Sequence, residues 1–488
     1  MRKCVLELVV FICAAAVMVF ELTGSRVLAL YAGTSIFVWA SLIGVILGSL
    51  SVGYWYGGRL ADRRPTERTL SLVILASGVL IAAAALASRP LLVWLYVRVA
   101  GLGWRSLVAA TALFSLPSLL LGMVSPFAVR LRMKTLDATG RTVGNFYAVS
   151  TLGSIAGTFL AGFVLIPHFG SSKLLYILAA TLAATSLLLV PRRRVLVIGV
   201  TLAVLALLAW KITDSGAFKV ETMYNSVWIG DYPDPRTGQM VRVMSLNSQN
   251  SSTIFRDSQE LVEEYTKYYN LGAHFSPGFR SALMIGGAGY VYPREYLRRF
   301  PAATIDVVEI DPKVTELARG YFGLEDDPRL GIFHQDARIF LNETTRKYDV
   351  FFGDVFQSIF SVPFHLTTRE TAQRVYGLLP DNGVAIMNTI SSVEGPEGKF
   401  LRALLRTYRE VFPQVYLFPV DDAADGRRVQ NVMLVALKSP TPPSFHSDDP
   451  ELDRYLSHRW TPDVPADVPV LTDDYAPVEY YLGMASRR

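Results

Sequence analysis

SALMIGGAGYVYPREYLRRFPAATIDVVEID, residues 281–311, reads as strand, glycine turn, helix and strand, and it closes on acidic residues. An apolar run from Ala282 to Ile285 enters a turn in which Gly286, Gly287 and Gly289 permit positive φ and let the backbone come close to a ligand. A side chain there would block the approach. Pro293 falls in the first turn of the expected helix, where a missing N–H costs little. The second strand, Ile305 to Ile310, delivers Glu309 about twenty residues after the turn, the usual place for a carboxylate that accepts both hydroxyls of a ribose. A glycine cluster alone would signify a structural turn. With a strand before it, a helix after it and the acid at this distance, it is the first half of a nucleotide-binding α/β domain.

Working outward, the dinucleotide fingerprint asks for a third glycine three positions beyond its G-x-G pair. Counted from Gly287 and Gly289, that position is Tyr292, so an adenosine ligand without a pyrophosphate fits better than NAD. A third strand is expected at Leu330 to Phe333, followed by His334-Gln335-Asp336-Ala337, and a fourth at Tyr348 to Asp354. Glu309, Asp336 and Asp354 then stand at successive strand ends, where open α/β sheets bind their ligands. The alternative for each acid is a cap on the helix that follows. Gln414 to Val420 and Val429 to Lys438 read as an antiparallel edge hairpin completing a doubly wound, seven-stranded sheet. Upstream, Glu221 to Ser252 alternates apolar and polar residues around a turn-rich middle, Gly230 to Pro235, which suits a small β-hairpin subdomain.

The front of the chain has another character. A composition of 51% hydrophobic residues over 488 positions is too apolar for one soluble globule, and the excess lies before residue 212. Apolar stretches long enough to cross a bilayer occur near 5–25, 35–57, 69–88, 106–129, 144–167, 172–191 and 195–211, seven in all. The first lacks the small-residue cleavage site of a signal peptide. Glu21 and Arg26 near its end either pair inside the membrane or snorkel to its surface. Pro117 and Pro126 are expected to kink the fourth span, and Gly153, Gly157 and Gly162 give the fifth a small-residue packing face. Arg59, Arg63, Arg64, Arg68, Arg130, Arg132, Lys134, Arg141 and Arg192 to Arg194 mark one side as cytoplasmic. With seven spans the nucleotide domain then falls on the outer face, whereas a cytoplasmic nucleoside donor would require six. The net charge of +5 is accounted for by these arginine loops, so no nucleic-acid surface is called for. Cys4 and Cys13 are the only cysteines, which leaves the second half without disulfides or a thiol metal site.

The order GGAGY, VEIDP, QDAR, YDVFFGD, PFHLTTRE and NGVAIMN resembles the spermidine synthase family, whose fold is similar to that of S-adenosylmethionine-dependent methyltransferases. The closing LTDDYAPVEYY, Leu471 to Tyr481, and the multi-pass front resemble its membrane-fused branch. That resemblance implies propylamine transfer from decarboxylated S-adenosylmethionine to an amine such as putrescine, releasing methylthioadenosine, with no metal and with homo-oligomeric assembly. By position, Gly286, Gly287 and Gly289 would shape the nucleoside pocket, Glu309 would hold the ribose, Asp336 with Ala337 would meet the adenine, and Asp354 would take the proton of the attacking amine. Such a base is needed because an ammonium is not a nucleophile.

Two carboxylates of the family's amine pocket are replaced here, by Gly289 and by Gln357. A buried cation without a paired charge costs several kcal/mol, on the order of 3–5, so the acceptor half of the site looks rewritten while the nucleoside half is kept. Tyr265, with Glu263, Glu264, Tyr268 and Tyr269, lies where the family has a Tyr-His-Glu triplet, and is either a pocket residue or core. His365 either shapes the pocket or is a loop histidine beside a helix start at Thr367. Asp473, Asp474 and Glu479 either border the site's mouth, bind a cation, or are structural.

The expected organisation is a transmembrane region over 1–211, a lid and linking helix over 212–275, and a nucleoside-binding catalytic domain over 276–488. The expected function is a membrane-bound aminopropyltransferase acting on a small amine. The alternatives are an S-adenosylmethionine-dependent methyltransferase-like enzyme with a membrane-associated acceptor, and a non-catalytic ligand-binding or transport-associated protein.

Overall fold

A computed structural model describes every residue except 1, 34, 100, 134–138, 191–217, 248, 356–361 and 486–488. The chain divides into two units, Met1–Gly216 and Ala217–Arg488.

The first unit is helical. After α1 (Arg2–Ala32), the side chains of Ser35 and Thr66 accept from the backbone N–H groups of Val38 and Thr69 and so start α2 (Ile36–Arg63) and α3 (Glu67–Arg98). The stretch from 102 to 132 is broken at Met123 into α4 (Leu102–Gly122) and α5 (Val124–Arg132). Pro126 has no N–H for the carbonyl of Gly122, which accounts for the break. α6 (Thr139–Phe159) runs on through a π-helical turn, Leu160–Leu165, and α7 covers Ser171–Leu187. Among the described residues, five helical stretches are long and apolar enough to cross a membrane: Cys4–Ala29, Ile36–Arg63, Glu67–Leu95, Leu102–Arg132 and Thr139–Leu165. α7 is apolar but shorter, and the seventh expected span, 195–211, lies outside the described residues.

The packing of these helices is written in their spacing. In α2 the buried positions Val38, Leu42, Ile46, Leu50, Gly53, Gly57 and Ala61 recur every three or four residues and form one stripe. Its other faces carry exposed Trp39, Ile43, Leu47 and Trp55, an apolar exterior that suits lipid rather than water. Cβ atoms built on Gly153 and Gly157 of α6 would each lie 2.4 Å from a backbone oxygen of α1, those of Phe11 and Ala15. Glycine at both places therefore lets the two backbones touch. Gly162, expected on the same face, has open space around it.

The second unit opens with an antiparallel sheet of four strands, β1 (Phe218–Glu221), β2 (Ser226–Pro233), β3 (Met240–Leu246) and β4 (Gln249–Phe255). This is twice the hairpin expected for the lid. Of the residues expected to form its turn, Gly230 to Pro235, those up to Pro233 are instead the second half of β2, and Asp234 and Pro235 lie in the turn. Asp231 lies directly opposite Arg242 on β3 and accepts from it at 2.8 Å, a cross-strand pair that carries pairing onward to the true turn at Asp234 and Gly238.

Two short helices, α8 (Glu264–Lys267) and α9 (Leu271–Phe275), lead into a seven-stranded mixed sheet. Its chain order is β5 (Ser281–Ile285), α10 (Val291–Arg299), β6 (Thr304–Val308), α11 (Pro312–Tyr321), β7 (Leu330–Phe333), α12 (Ala337–Glu343), β8 (Val350–Gly353), α13 (Arg369–Leu378), β9 (Val384–Ser391), α14 (Lys399–Arg409), β10 (Gln414–Pro419) and β11 (Gln430–Leu437). Two further helices, α15 (Pro450–Ser457) and α16 (Val478–Ala485), follow. In space the strands run β10-β11-β9-β8-β5-β6-β7, parallel from β9 to β7, with β10 and β11 as the expected antiparallel edge hairpin.

Both faces of the sheet are covered. Along β5, Ala282 and Met284 enter one core while Leu283 and Ile285 enter the other; along β8, Val350 and Phe352 oppose Phe351 in the same way. Unbroken apolar strands are the mark of a parallel sheet buried on both sides. Each fully buried large side chain, such as Phe352, stabilises the sheet by about 1.5–3 kcal/mol. From β5 the chain winds out to β6 and β7, then crosses back to β8 and β9. The winding reverses between β5 and β8, and the crevice beyond that switch point is where such sheets take ligands.

Candidate active site

The glycine turn fills the mouth of the switch point. Gly286 has φ +91° and donates its N–H to Val308 at 3.0 Å. A Cβ on it would stand 2.0 Å from the carbonyl oxygen of Asp354, so only glycine lets the end of β8 pass so near the turn. Gly289 donates to Ser252 Oγ of β4 at 2.8 Å, and a Cβ there would meet the Ser252 side chain at 2.8 Å. Ala288 and Tyr290 hold positive φ without being glycine, at 43° and 54°. Tyr290 is kept there by full burial and by a 2.8 Å hydrogen bond between its hydroxyl and Thr315. Strain of this kind persists only where the surroundings over-determine it, and it gathers at functional sites. Tyr292, the missing third glycine, is core: it is 2% exposed and packs on Tyr269 and Phe352.

Glu309 reaches back under the turn. Its Oε2 accepts from the N–H groups of Gly287 and Ala288, each at 3.0 Å, and its Oε1 from Asp311 at 3.0 Å. Burial raises its carboxyl, against three backbone hydrogen bonds that lower it. A carboxylate offers about four acceptor positions, so three N–H donors leave room for a hydroxyl on a residue that also braces the loop.

Asp354, one residue past β8, faces the crevice from the other side of β5. Its Oδ2 accepts from the Tyr265 hydroxyl and its Oδ1 from Asn388 Nδ2, both at 3.2 Å. Tyr269, fully buried, donates to the carbonyl of Gly353 at 3.3 Å. Asp354 keeps some accessible surface, yet protein encloses it closely. Burial pushes its carboxyl up to about 6, against hydrogen bonds from Asn388, Tyr265 and Tyr269 that pull it down. Tyr265 is raised well above the ordinary phenol range by burial and then by the charge of Asp354. A carboxylate among neutral donors, with a proton affinity near neutrality, is equipped to take a proton from a bound nucleophile.

The third strand-end acid also serves as a helix cap. Asp336 caps α12, its Oδ1 accepting from Arg338 N at 2.8 Å and Ile339 N at 3.2 Å. Its Oδ2 lies 3.9 Å from His365 Nε2, and Ala337 opens the same helix. Arg338 ties this corner together: its guanidinium donates to the carbonyl of His365 at 3.0 Å, to Thr371 Oγ1, and to Asp473 Oδ2 at 2.6 Å. Thr368 Oγ1 donates to Asp473 Oδ1 at 2.7 Å. Asp473 is thus a latch between the LTDD segment and the N-terminus of α13.

The fold therefore gathers Gly286, Gly287, Gly289, Glu309, Asp354 and Tyr265 at one crevice, with Asp336, Ala337 and His365 together at its β7 side. Gln357 lies outside the described residues. A separate cleft of about 520 Å³, between residues 254–260 and α10, includes none of these residues. Among the described residues no group of three or more His, Cys, Asp or Glu is arranged to hold a metal. Sequence reasoning missed Asn388 and Ser252, and left Tyr269 between pocket and core. The signal for Asn388 was a polar residue closing the apolar run VAIM, since a buried amide needs partners.

Residues 264–421 match the spermine/spermidine synthase domain. A polyamine aminopropyltransferase of Vibrio vulnificus is 27% identical over 226 residues, 44% of this chain and 71% of that protein. A polyamine aminopropyltransferase of Streptomyces coelicolor is 26% identical over 425 residues, covering 78% of this chain and 75% of its own length. The crystal structure of a probable spermidine synthase from Corynebacterium glutamicum aligns over 56% of this chain and 96% of its own, with 24% identity and a TM-score of 0.42. The chain thus carries a spermidine synthase-type domain, and its homologues are transferases.

Proposed function

We propose that the protein is a membrane-bound aminopropyltransferase that moves a propylamine group from decarboxylated S-adenosylmethionine to an amine, with Asp354 as base. The observation that carries this reading is the placement of Asp354. A carboxylate with a proton affinity near neutrality stands beside the glycine turn and across β5 from Glu309.

In the reaction, the amine nitrogen forms a bond to the methylene carbon beside the sulfonium. The carbon–sulfur bond breaks, and its electron pair neutralises the sulfur to give methylthioadenosine. The amine, held as an ammonium, gives one proton to Asp354 as it attacks, which frees the electron pair that makes the new bond. Glu309 would hold the ribose of the donor, and the loop N–H groups it fastens keep that carboxylate from turning away. Asp336 and Ala337 would meet the adenine, and Tyr265 would face the acceptor beside Asp354. The domain match over residues 264–421 supports the transferase class, and the aminopropyltransferase relatives support the choice of donor. Five helices among the described residues, each long and apolar enough to cross a membrane, support the location.

The test uses the full chain in detergent or vesicles, with methylthioadenosine and S-adenosylhomocysteine release measured from decarboxylated and intact S-adenosylmethionine over a panel of amines. Asp354→Asn should lower turnover about 10²–10⁴-fold while methylthioadenosine still binds in calorimetry. Full turnover in that variant would remove Asp354 from the chemistry. S-adenosylhomocysteine formed from the intact donor, with no methylthioadenosine from the decarboxylated one, would favour methyl transfer instead.

A further inference from the structure

We propose that Asn431 is a positioning residue for the site: by holding the carbonyl of Asn388 it decides that an N–H group, and not an oxygen, faces Asp354. This rests on the reading of Asp354 as the base.

Asn388 sits on β9 and Asn431 on β11. In the antiparallel register Asn388 pairs with Met433 and Ile390 with Asn431, so the two asparagines are diagonal neighbours on one face. Asn388 is 3% exposed in a strand otherwise made of Val, Ala, Ile and Met up to that point, and its amide cannot turn to water. Asn431 Nδ2 donates to Asn388 Oδ1 at 2.9 Å, and Asn388 Nδ2 donates to Asp354 Oδ1 at 3.2 Å.

A primary amide has one carbonyl and one NH₂. Once the carbonyl is engaged by Asn431, only the NH₂ remains for Asp354. Without Asn431 the amide is free to turn over, and its oxygen then meets a carboxylate oxygen. That arrangement is repulsive when Asp354 is ionised and hydrogen-bonded when it is protonated. Asn431 accordingly favours the ionised, proton-accepting form of a residue it does not touch.

The other groups facing Asp354 do not share this task. They are the phenols of Tyr265 and Tyr269, both held far above neutrality by burial, with Glu263 acting on Tyr265 from beyond. Among the described residues no charged side chain is hydrogen-bonded to Asp354. The amide pair is therefore the part of the surroundings whose orientation changes the base.

The sign follows. Losing the N–H donor raises the proton affinity of Asp354, so the acidic limb of kcat/KM moves to higher pH. The experiment compares wild type, Asn388→Ala, Asn431→Ala and the isosteric Asn431→Asp in the full chain, with methylthioadenosine release followed across pH. The expected result is a limb displaced alkaline by about one pH unit in all three variants, which is about tenfold lower kcat/KM below the limb, with little change on the plateau. The double variant Asn388→Ala/Asn431→Ala should shift no further than Asn388→Ala alone. A shift in Asn388→Ala but none in either Asn431 variant would overturn the relay. To separate this from failure of the base assignment, the titration of Asp354 is also read without turnover by difference infrared spectroscopy of the carboxyl band, with Asp354→Asn as the blank. The band should titrate at higher pH in the Asn431 variants than in wild type. An unmoved band overturns the inference, and a moved band without any product from wild type sinks the function but keeps the relay.

Discussion

The two units of this chain use glycine for opposite ends. In the helical unit Gly153 and Gly157 have ordinary helical backbones, and their lack of a side chain lets α6 lie against the backbone of α1 at Phe11 and Ala15. In the α/β unit Gly286 has a backbone that other residues rarely adopt, and its bareness lets a turn pass the end of β8. The first kind of glycine serves association between elements. The second serves a crevice. One substitution, glycine to alanine, therefore means two different things, and the difference teaches where stability and activity separate in this molecule.

The sharpest way to break that comparison is Gly286→Ala. The added carbon meets the Asp354 carbonyl at 2.0 Å and requires a φ of +91°. Displacing the base in this way should cost at least about a hundredfold in turnover, measured as methylthioadenosine release, while the helical unit unfolds as before. Unchanged activity would end the argument that the turn and β8 are fitted to one another.

Acidification probes the same site more gently. Asp354 must be ionised to accept a proton and its carboxyl stands at about 6, so the rate should fall about tenfold per pH unit below that point. A limb near the ordinary aspartate range would show that the base is more open to water than its packing implies.

The matching change in the helical unit is Gly157→Ala, whose Cβ would stand 2.4 Å from the Ala15 oxygen. It should lower stability by about 1–3 kcal/mol, read in thermal unfolding in detergent, with methylthioadenosine affinity untouched. The smallest effect is expected of Asp473→Asn. Losing the ion pair with Arg338 while keeping a hydrogen-bonding amide should weaken methylthioadenosine binding about three- to tenfold and leave the acidic limb in place. Asp474→Asn is its control.

Much of the α/β unit was legible because its signals are local. The 281–311 stretch has its strand, turn, helix and acid within one βαβ unit, and the edge hairpin shows as two apolar runs. The three strand-end acids looked alike in sequence, and only three dimensions separate them: Asp336 turns onto its own helix, whereas Glu309 turns to the glycine loop and Asp354 to the crevice. The turn of the first sheet was expected too early because Gly230, Asp231 and Pro233 are turn formers by composition, and a charged pair with Arg242 on the neighbouring strand overrode them. Asn388 and Asn431 lie far apart in the chain and meet only across a sheet register that no local pattern reveals.

The Asp473 latch also has a meaning in time. It joins residues 135 positions apart, Arg338 and Asp473. Contacts of long sequence separation close late, because loop entropy must be overcome before they reward the chain. Every strand of the central sheet, the glycine turn and Asp354 are synthesised before residue 473 leaves the ribosome. A growing chain can thus assemble the carboxylate and its amide neighbours first, and fasten the α12–α13 corner only when the LTDD segment arrives.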